Sequence, residues 1–230
     1  SSITTAPFNT AVGYNALASN TTGDGRNTAI GRQALTDVTT GDYNTAVGMN
    51  AGESVTTGAH NTIMGGLAAD AMTTASDNTV VGYAALTSAT TGANNTVVGY
   101  AALLGNTTGN SNVAVGANAL ESNTTSNNNT AMGNAALGST TGATNTGVGA
   151  NSGGGISTGD GNTTLGERSG HYSTSLTTGS NNTLVGSLTY ISTADSVGAV
   201  VLGHAVQGYS GYTTLGYGTS DIRTVHGSIA

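Results

Sequence analysis

The chain of 230 residues has no cysteine, no lysine, no tryptophan, one phenylalanine and one proline, Pro7. Without thiols there are no disulfides and no thiolate chemistry, so stability must come from another source. Charged residues make up 7% of the chain, against about 25% in an ordinary domain. With aromatics at 4% as well, neither a usual charged surface nor a bulky core is available, and a conventional globular enzyme is not expected. The net charge is −7, and the four basic residues, Arg26, Arg32, Arg168 and Arg223, are scattered. No cationic field gathers phosphates, so nucleic acid and anionic membrane are not expected partners. No apolar run approaches the ~18 residues of a spanning helix, and membrane insertion by this chain is not expected.

The chain does contain repetition. A motif of the form Asn-Thr-(Ala/Val)-(Val/Ile/Met)-Gly starts at Asn9 and returns at Asn27, Asn44, Asn61, Asn78, Asn95, Asn112, Asn129, Asn145, Asn162 and Asn182. Successive starts are 18, 17, 17, 17, 17, 17, 17, 16, 17 and 20 residues apart. One unit is therefore about seventeen residues, within the range of solenoid repeats. The remaining constant slots are an Ala-Leu pair (Ala16-Leu17, Ala34-Leu35, Ala85-Leu86) and a Thr-Thr-Gly turn (Thr39 to Gly41, Thr56 to Gly58) followed by two polar positions. Gly at these short intervals leaves no length for a helix, while Thr, Val and Ile favour strands. The expected fold is all-β, a parallel β-solenoid whose coils hydrogen-bond to one another at about 4.8 Å rise.

Period-two alternation puts Thr10 and Val12 on one strand face and Asn9, Ala11 and Gly13 on the other. The Val face is expected to point inward. The Gly of Thr-Thr-Gly is expected to turn the corner with positive φ. The eleven motif Asn, stacked in register, are expected to form an amide ladder. Both faces of the strand look dry, as association of three chains or a fatter single-chain solenoid would explain. The solenoid is expected over 1–190. Beyond it, Thr-Thr-Gly disappears, and 191–230 is read as degraded coils and a cap or tip.

These residues resemble the head repeats of trimeric autotransporter adhesins of the YadA type and similar units in phage tail fibres. The likeness rests on Asn9-Thr10-Ala11-Val12-Gly13, Asn27-Thr28-Ala29-Ile30-Gly31, Asn112-Val113-Ala114-Val115-Gly116 and their siblings, with a longer coil than is usual in those heads. The resemblance implies a left-handed β-roll in a homotrimer, extracellular, on a cell surface or in a virion. It also implies a surface for a carbohydrate or protein receptor.

Candidate contacts lie where the repeat varies or breaks. The slot after the motif Gly holds Tyr14, Arg32, Tyr83 and Tyr100, whose planar amphipathic side chains suit recognition. The enlarged coil between Asn162 and Asn182 brings Glu167, Arg168, His171 and Tyr172 into one insertion, and Gly153-Gly154-Gly155 nearby reads as a flexible turn. Tyr209 and Tyr212, with His204 and Tyr217, are tip candidates. Catalysis finds no support. His60, His171, His204 and His226 share no metal-ligand spacing, and Asp24, Asp42 and Asp160 suit corner turns in which Asp bonds its own backbone. No cofactor and no metal is expected. An ice-binding solenoid is the first alternative, weakened if Thr10, Thr28 and Thr45 share an inward face with Val. A structural filament or spacer subunit is the second.

Overall fold

The computed structural model describes residues 7–20 and 25–225. The chain divides into two compact units, Ser1–Ala117 and Asn118–Ala230. Each is a parallel β-solenoid, and no helix occurs among the described residues.

The first unit carries β1 (Thr10–Val12), β2 (Thr28–Ile30), β3 (Thr45–Val47), β4 (Thr62–Met64), β5 (Thr79–Val81), β6 (Thr96–Val98) and β7 (Val113–Val115). Each pairs in parallel with the next, and the register sets like on like: Thr28 beside Thr45, Ala29 beside Ala46, Ile30 beside Val47. The second unit repeats the plan with β8 (Thr130–Met132), β9 (Thr146–Val148), β10 (Thr163–Leu165) and β11 (Thr183–Val185). It continues through β12 (Tyr190–Ile191), β13 (Val200–His204), β14 (Gln207–Gly208), β15 (Tyr212–Tyr217) and β16 (Ser220–Val225). β13 and β15 prolong the parallel ladder, β12 pairs with β14, and β16 turns back antiparallel on β15.

In β2 to β11 the middle residue of each strand, like the motif Asn before it, faces the interior. Ala29, Ala46, Ile63, Val80, Val97 and Ala114 are fully buried, whereas Val12 is 57% exposed and Met64 44%. This reverses the expected direction of the Val face. Alternation establishes that Thr and Val share a side but not which side is dry. The deciding group is Asn: its amide can reach across the coil only from within.

Asn44 illustrates the arrangement. Its backbone N–H donates to Asn27 Oδ1 at 2.8 Å, and its Nδ2 donates at 2.8 Å to the carbonyl of Gly58, in the Thr-Thr-Gly turn that closes the coil. Its Oδ1 then accepts the backbone N–H of Asn61 at 3.0 Å. The same links join Asn78 to Asn95 and Asn95 to Asn112, and in the second unit they run from Asn129 through Asn145, Asn162 and Asn182. Asn9 starts the series by accepting from Asn27 at 2.9 Å. Each buried amide thus serves backbone groups that would otherwise lack partners.

The Ala-Leu pair faces Asn and Ala across the interior, with Leu17, Leu35, Leu86 and Leu103 fully buried. Where Leu is missing, neighbouring coils fill the space: the open side of Gly52 is met by Leu35 Cδ2 and Ile63 Cδ1. In the second unit the interior becomes partly polar. Ser152 Oγ lies 2.9 Å from Thr164 Oγ1, and Ser169 Oγ lies 2.8 Å from Thr189 Oγ1, all of them buried.

Glycine plays two parts. The motif Gly adopts positive φ, +140° at Gly65, and a Cβ there would collide with the Gly82 carbonyl of the next coil. Gly41 and Gly58, in Thr-Thr-Gly, do not have the positive φ expected of them. They are required because a Cβ at Gly41 would strike the Gly58 carbonyl. Thr21, Gly23, Asp24, His226 and Ile229 lie outside the described residues.

Candidate functional site

Three features stand out on the first unit's surface. The first is an outward column made by the third residue of each strand: Val12, Ile30, Val47, Met64, Val81, Val98 and Val115. Every occupant is aliphatic, although its size varies, and most are more than a third exposed. A parallel column of Thr10, Thr28, Thr45, Thr62, Thr79 and Thr96 stands beside it, in register from coil to coil. The second unit carries its own aliphatic column through Met132, Leu165, Leu202 and Leu215, with Ile222 beside Leu215 on β16.

The second feature is the slot after the motif Gly. Tyr83 and Tyr100 stack nearly parallel, with ring centroids 6.0 Å apart and 9° between planes. Both are exposed, and Tyr83 extends over Gly66, where a Cβ would rest 3.5 Å from its ring. Tyr14 and Arg32 occupy the same column in adjacent coils, but Met49 and Gly66 separate them from the tyrosine pair. The four predicted residues thus lie in one line but form no single cluster.

The third feature was not foreseen. The residue before each motif Asn adopts left-handed backbone, with φ near +60°, in both units. In the second unit Asn128, Thr144, Gly161, Asn181, Gly198 and Gly211 occupy it. In the first, Phe8, Arg26, Tyr43, His60 and Asp77 follow one another, all exposed. The Arg26 guanidinium lies 5.7 Å from the Phe8 ring centroid and 5.0 Å from that of Tyr43, and Arg26 Nη1 donates to Tyr43 Oη. Tyr43 and His60 rings are 5.4 Å apart, and His60 Nδ1 is 3.5 Å from Asp77 Oδ1. The signal was present in the sequence as four bulky residues in a slot read only as polar.

In the second unit the insertion brings Arg168, His171 and Tyr172 together. Arg168 lies over the Tyr172 ring at 5.8 Å, and Tyr172 meets Tyr190 edge-on at 6.1 Å. His171 Nδ1 is 3.0 Å from Ser175 Oγ. Burial, then the Arg168 charge, push the His171 pKa below its ordinary value. A Cβ on Gly155 would sit 2.7 Å from both His171 Nδ1 and Ser175 Cβ, so the turn at Gly153-Gly154-Gly155 forms a bed for the insertion. Glu167 is exposed on the same coil. Near the C-terminal strands, Arg223 covers the Tyr209 ring at 4.1 Å and pairs with Asp221 at 2.6 Å. Tyr209 and Tyr212 meet edge-on at 6.4 Å, and His204 stacks with Tyr217 at 5.2 Å.

Asp42 and Asp160 bond across coils: Asp42 Oδ1 accepts the Gly25 N–H at 2.8 Å, and Asp160 Oδ1 the Ala143 N–H at 2.6 Å. Among the described residues no group of three or more His, Asp or Glu converges as metal ligands, and no helix is long and apolar enough to cross a membrane. Comparison with protein-family models, curated proteins and solved structures finds no match.

Proposed function

We propose that the chain is a module of a fibrous, receptor-presenting protein, an adhesin or tail-fibre-like element, that binds rather than catalyses and works as a homotrimer. The observation that carries this reading is the outward aliphatic column. Each coil closes its core within a single chain, yet each still turns a Val, Ile, Met or Leu outward. A contiguous exposed apolar strip of this kind marks an interaction surface. Varied size with constant apolarity suits packing against another protein surface, and identical copies in identical register offer a matching strip. The exposed aromatic ribs then remain available to a receptor, a carbohydrate or a protein, outside the cell or on a virion. Light scattering over a range of concentrations tests this: the reading expects a stable mass near three chains, and a monomer at every concentration would contradict it.

One observation favours a second reading. The motif Thr face outward in matched rank, so the argument against an ice-binding face no longer applies. The uneven neighbouring column, with Ile30 and Met64 among Val, fits a crystalline lattice less well than it fits a protein partner. Thermal hysteresis by a monomeric chain would promote this reading over the first.

A further inference from the structure

The ridge of Phe8, Arg26, Tyr43, His60 and Asp77 points to a binding site for an extended, neutral β-1,4-linked polysaccharide, running along the stacking direction of the first unit. This deepens the receptor-presenting reading, on which it rests, by assigning a ligand class to residues other than those foreseen.

The slot itself supplies the first argument. Left-handed backbone recurs in the coil, at buried Leu17, Leu35 and Leu86 as well as in this slot, so the conformation belongs to the coil and what distinguishes the slot is the side chain it carries. The second unit fills the slot with Asn, Gly or Thr, and the first unit itself uses Asn94 at φ 59°. Phe8, Arg26, Tyr43 and His60 instead place large exposed side chains there, in four consecutive coils. Large exposed side chains gathered in a slot that elsewhere holds Asn, Gly, Ser or Thr motivate a functional reading.

Shape and chemistry then select the ligand. The ridge is one side chain wide and spans four coil steps, about 20 Å. A protein partner typically needs about 800 Å² on each side, which so narrow a line does not supply. A linear polymer fits, and an extended β-1,4-linked chain advances per sugar by nearly one coil. Arg26 lies against the Phe8 and Tyr43 rings, Tyr43 and His60 meet at a tilt, and the exposed line carries polar groups along its length: the Tyr43 hydroxyl, the His60 imidazole, the Arg26 guanidinium and the Asp77 carboxylate. These donors and acceptors match sugar hydroxyls. Arg26 is set against Asp77, and Asp42 precedes Tyr43, so no positive field selects a polyanion. Gly25, Ala59 and Ser76 precede Arg26, His60 and Asp77, and all five ridge residues are exposed.

The test is titration calorimetry of the whole chain with cellohexaose, chitohexaose and β-1,4-mannohexaose. The comparison is with a Tyr43→Asn, His60→Asn double variant and a Tyr83→Asn, Tyr100→Asn double variant. Asn is already tolerated in the ridge slot, so the ridge variant should keep its thermal midpoint. The expected result is binding of at least one hexaose, weakened about tenfold or more by the ridge variant and unchanged in the Tyr83/Tyr100 variant. Failure of all three hexaoses to bind, or equal binding by the ridge variant, overturns the proposal. Loss only in the Tyr83/Tyr100 variant overturns the ridge assignment while leaving the receptor-presenting reading intact. Binding of a protein receptor with the hexaoses inert does the same.

Discussion

Thr140 is a buried polar residue whose hydroxyl has no hydrogen-bond partner, and it occupies the interior slot where other coils place Val38, Val55 or Ile156. A buried unpaired hydroxyl costs about 1–3 kcal/mol, and Val has nearly the same shape. Thr140→Val should therefore stabilise the chain by about 1–2 kcal/mol, read as a higher denaturation midpoint at unchanged m-value. An unchanged midpoint would mean that the hydroxyl is satisfied in solution. Gly65 makes the opposite case. Its φ of +140° is strained for any residue with a Cβ, and that Cβ would collide with the Gly82 carbonyl. Gly65→Ala should cost about 3 kcal/mol or more, measured by the same unfolding experiment. By contrast, Gly66 next to it has room, since its Cβ would only touch the Tyr83 ring.

At the scale of the element, the insertion between β10 and β11 has a pH dependence whose sign follows from His171. Its pKa in the folded chain lies below the ordinary value of 6.5 because burial, and then Arg168, disfavour the imidazolium. The unfolded chain therefore takes up the proton first. Stability of the insertion is fully present above about 6.5 and declines as pH falls from there toward the folded pKa. Hydrogen-exchange protection over 167–176, taken relative to the intrinsic amide rate at each pH, should fall between pH 7 and pH 5 in the wild type but not in His171→Gln; equal protection profiles would exclude the imidazole as the cause. Much of the coil was legible because the chain repeats itself: eleven copies of Asn, with Ala-Leu and the motif Gly, identify the slots that geometry constrains. The direction of Thr and Val was not legible, because alternation determines pairing of faces but not their polarity. Nor was the ridge, since consensus averages away a slot whose meaning lies in its exceptions, Phe8, Arg26, Tyr43 and His60. The bed under the insertion escaped for another reason: Gly155 is required by His171 and Ser175, which lie one coil later.

For the molecule as a whole, low charge and a closed interior leave each unit with an apolar strip that water does not favour. Burying aliphatic surface yields about 25 cal/mol per Å², and a strip repeated in every coil adds its contribution many times with few losses of side-chain freedom, since Val is stiff. Copies meeting along this strip are the central claim. The absence of native cysteine makes it directly measurable. Val81→Cys places one thiol on the outward column, and Thr91→Cys places one on an exposed corner as the control. Mild oxidation at low concentration followed by non-reducing electrophoresis should give disulfide-linked dimers from Val81→Cys and almost none from Thr91→Cys, because only thiols held within reach can join. Equal, slow cross-linking of both variants would contradict association through the strip.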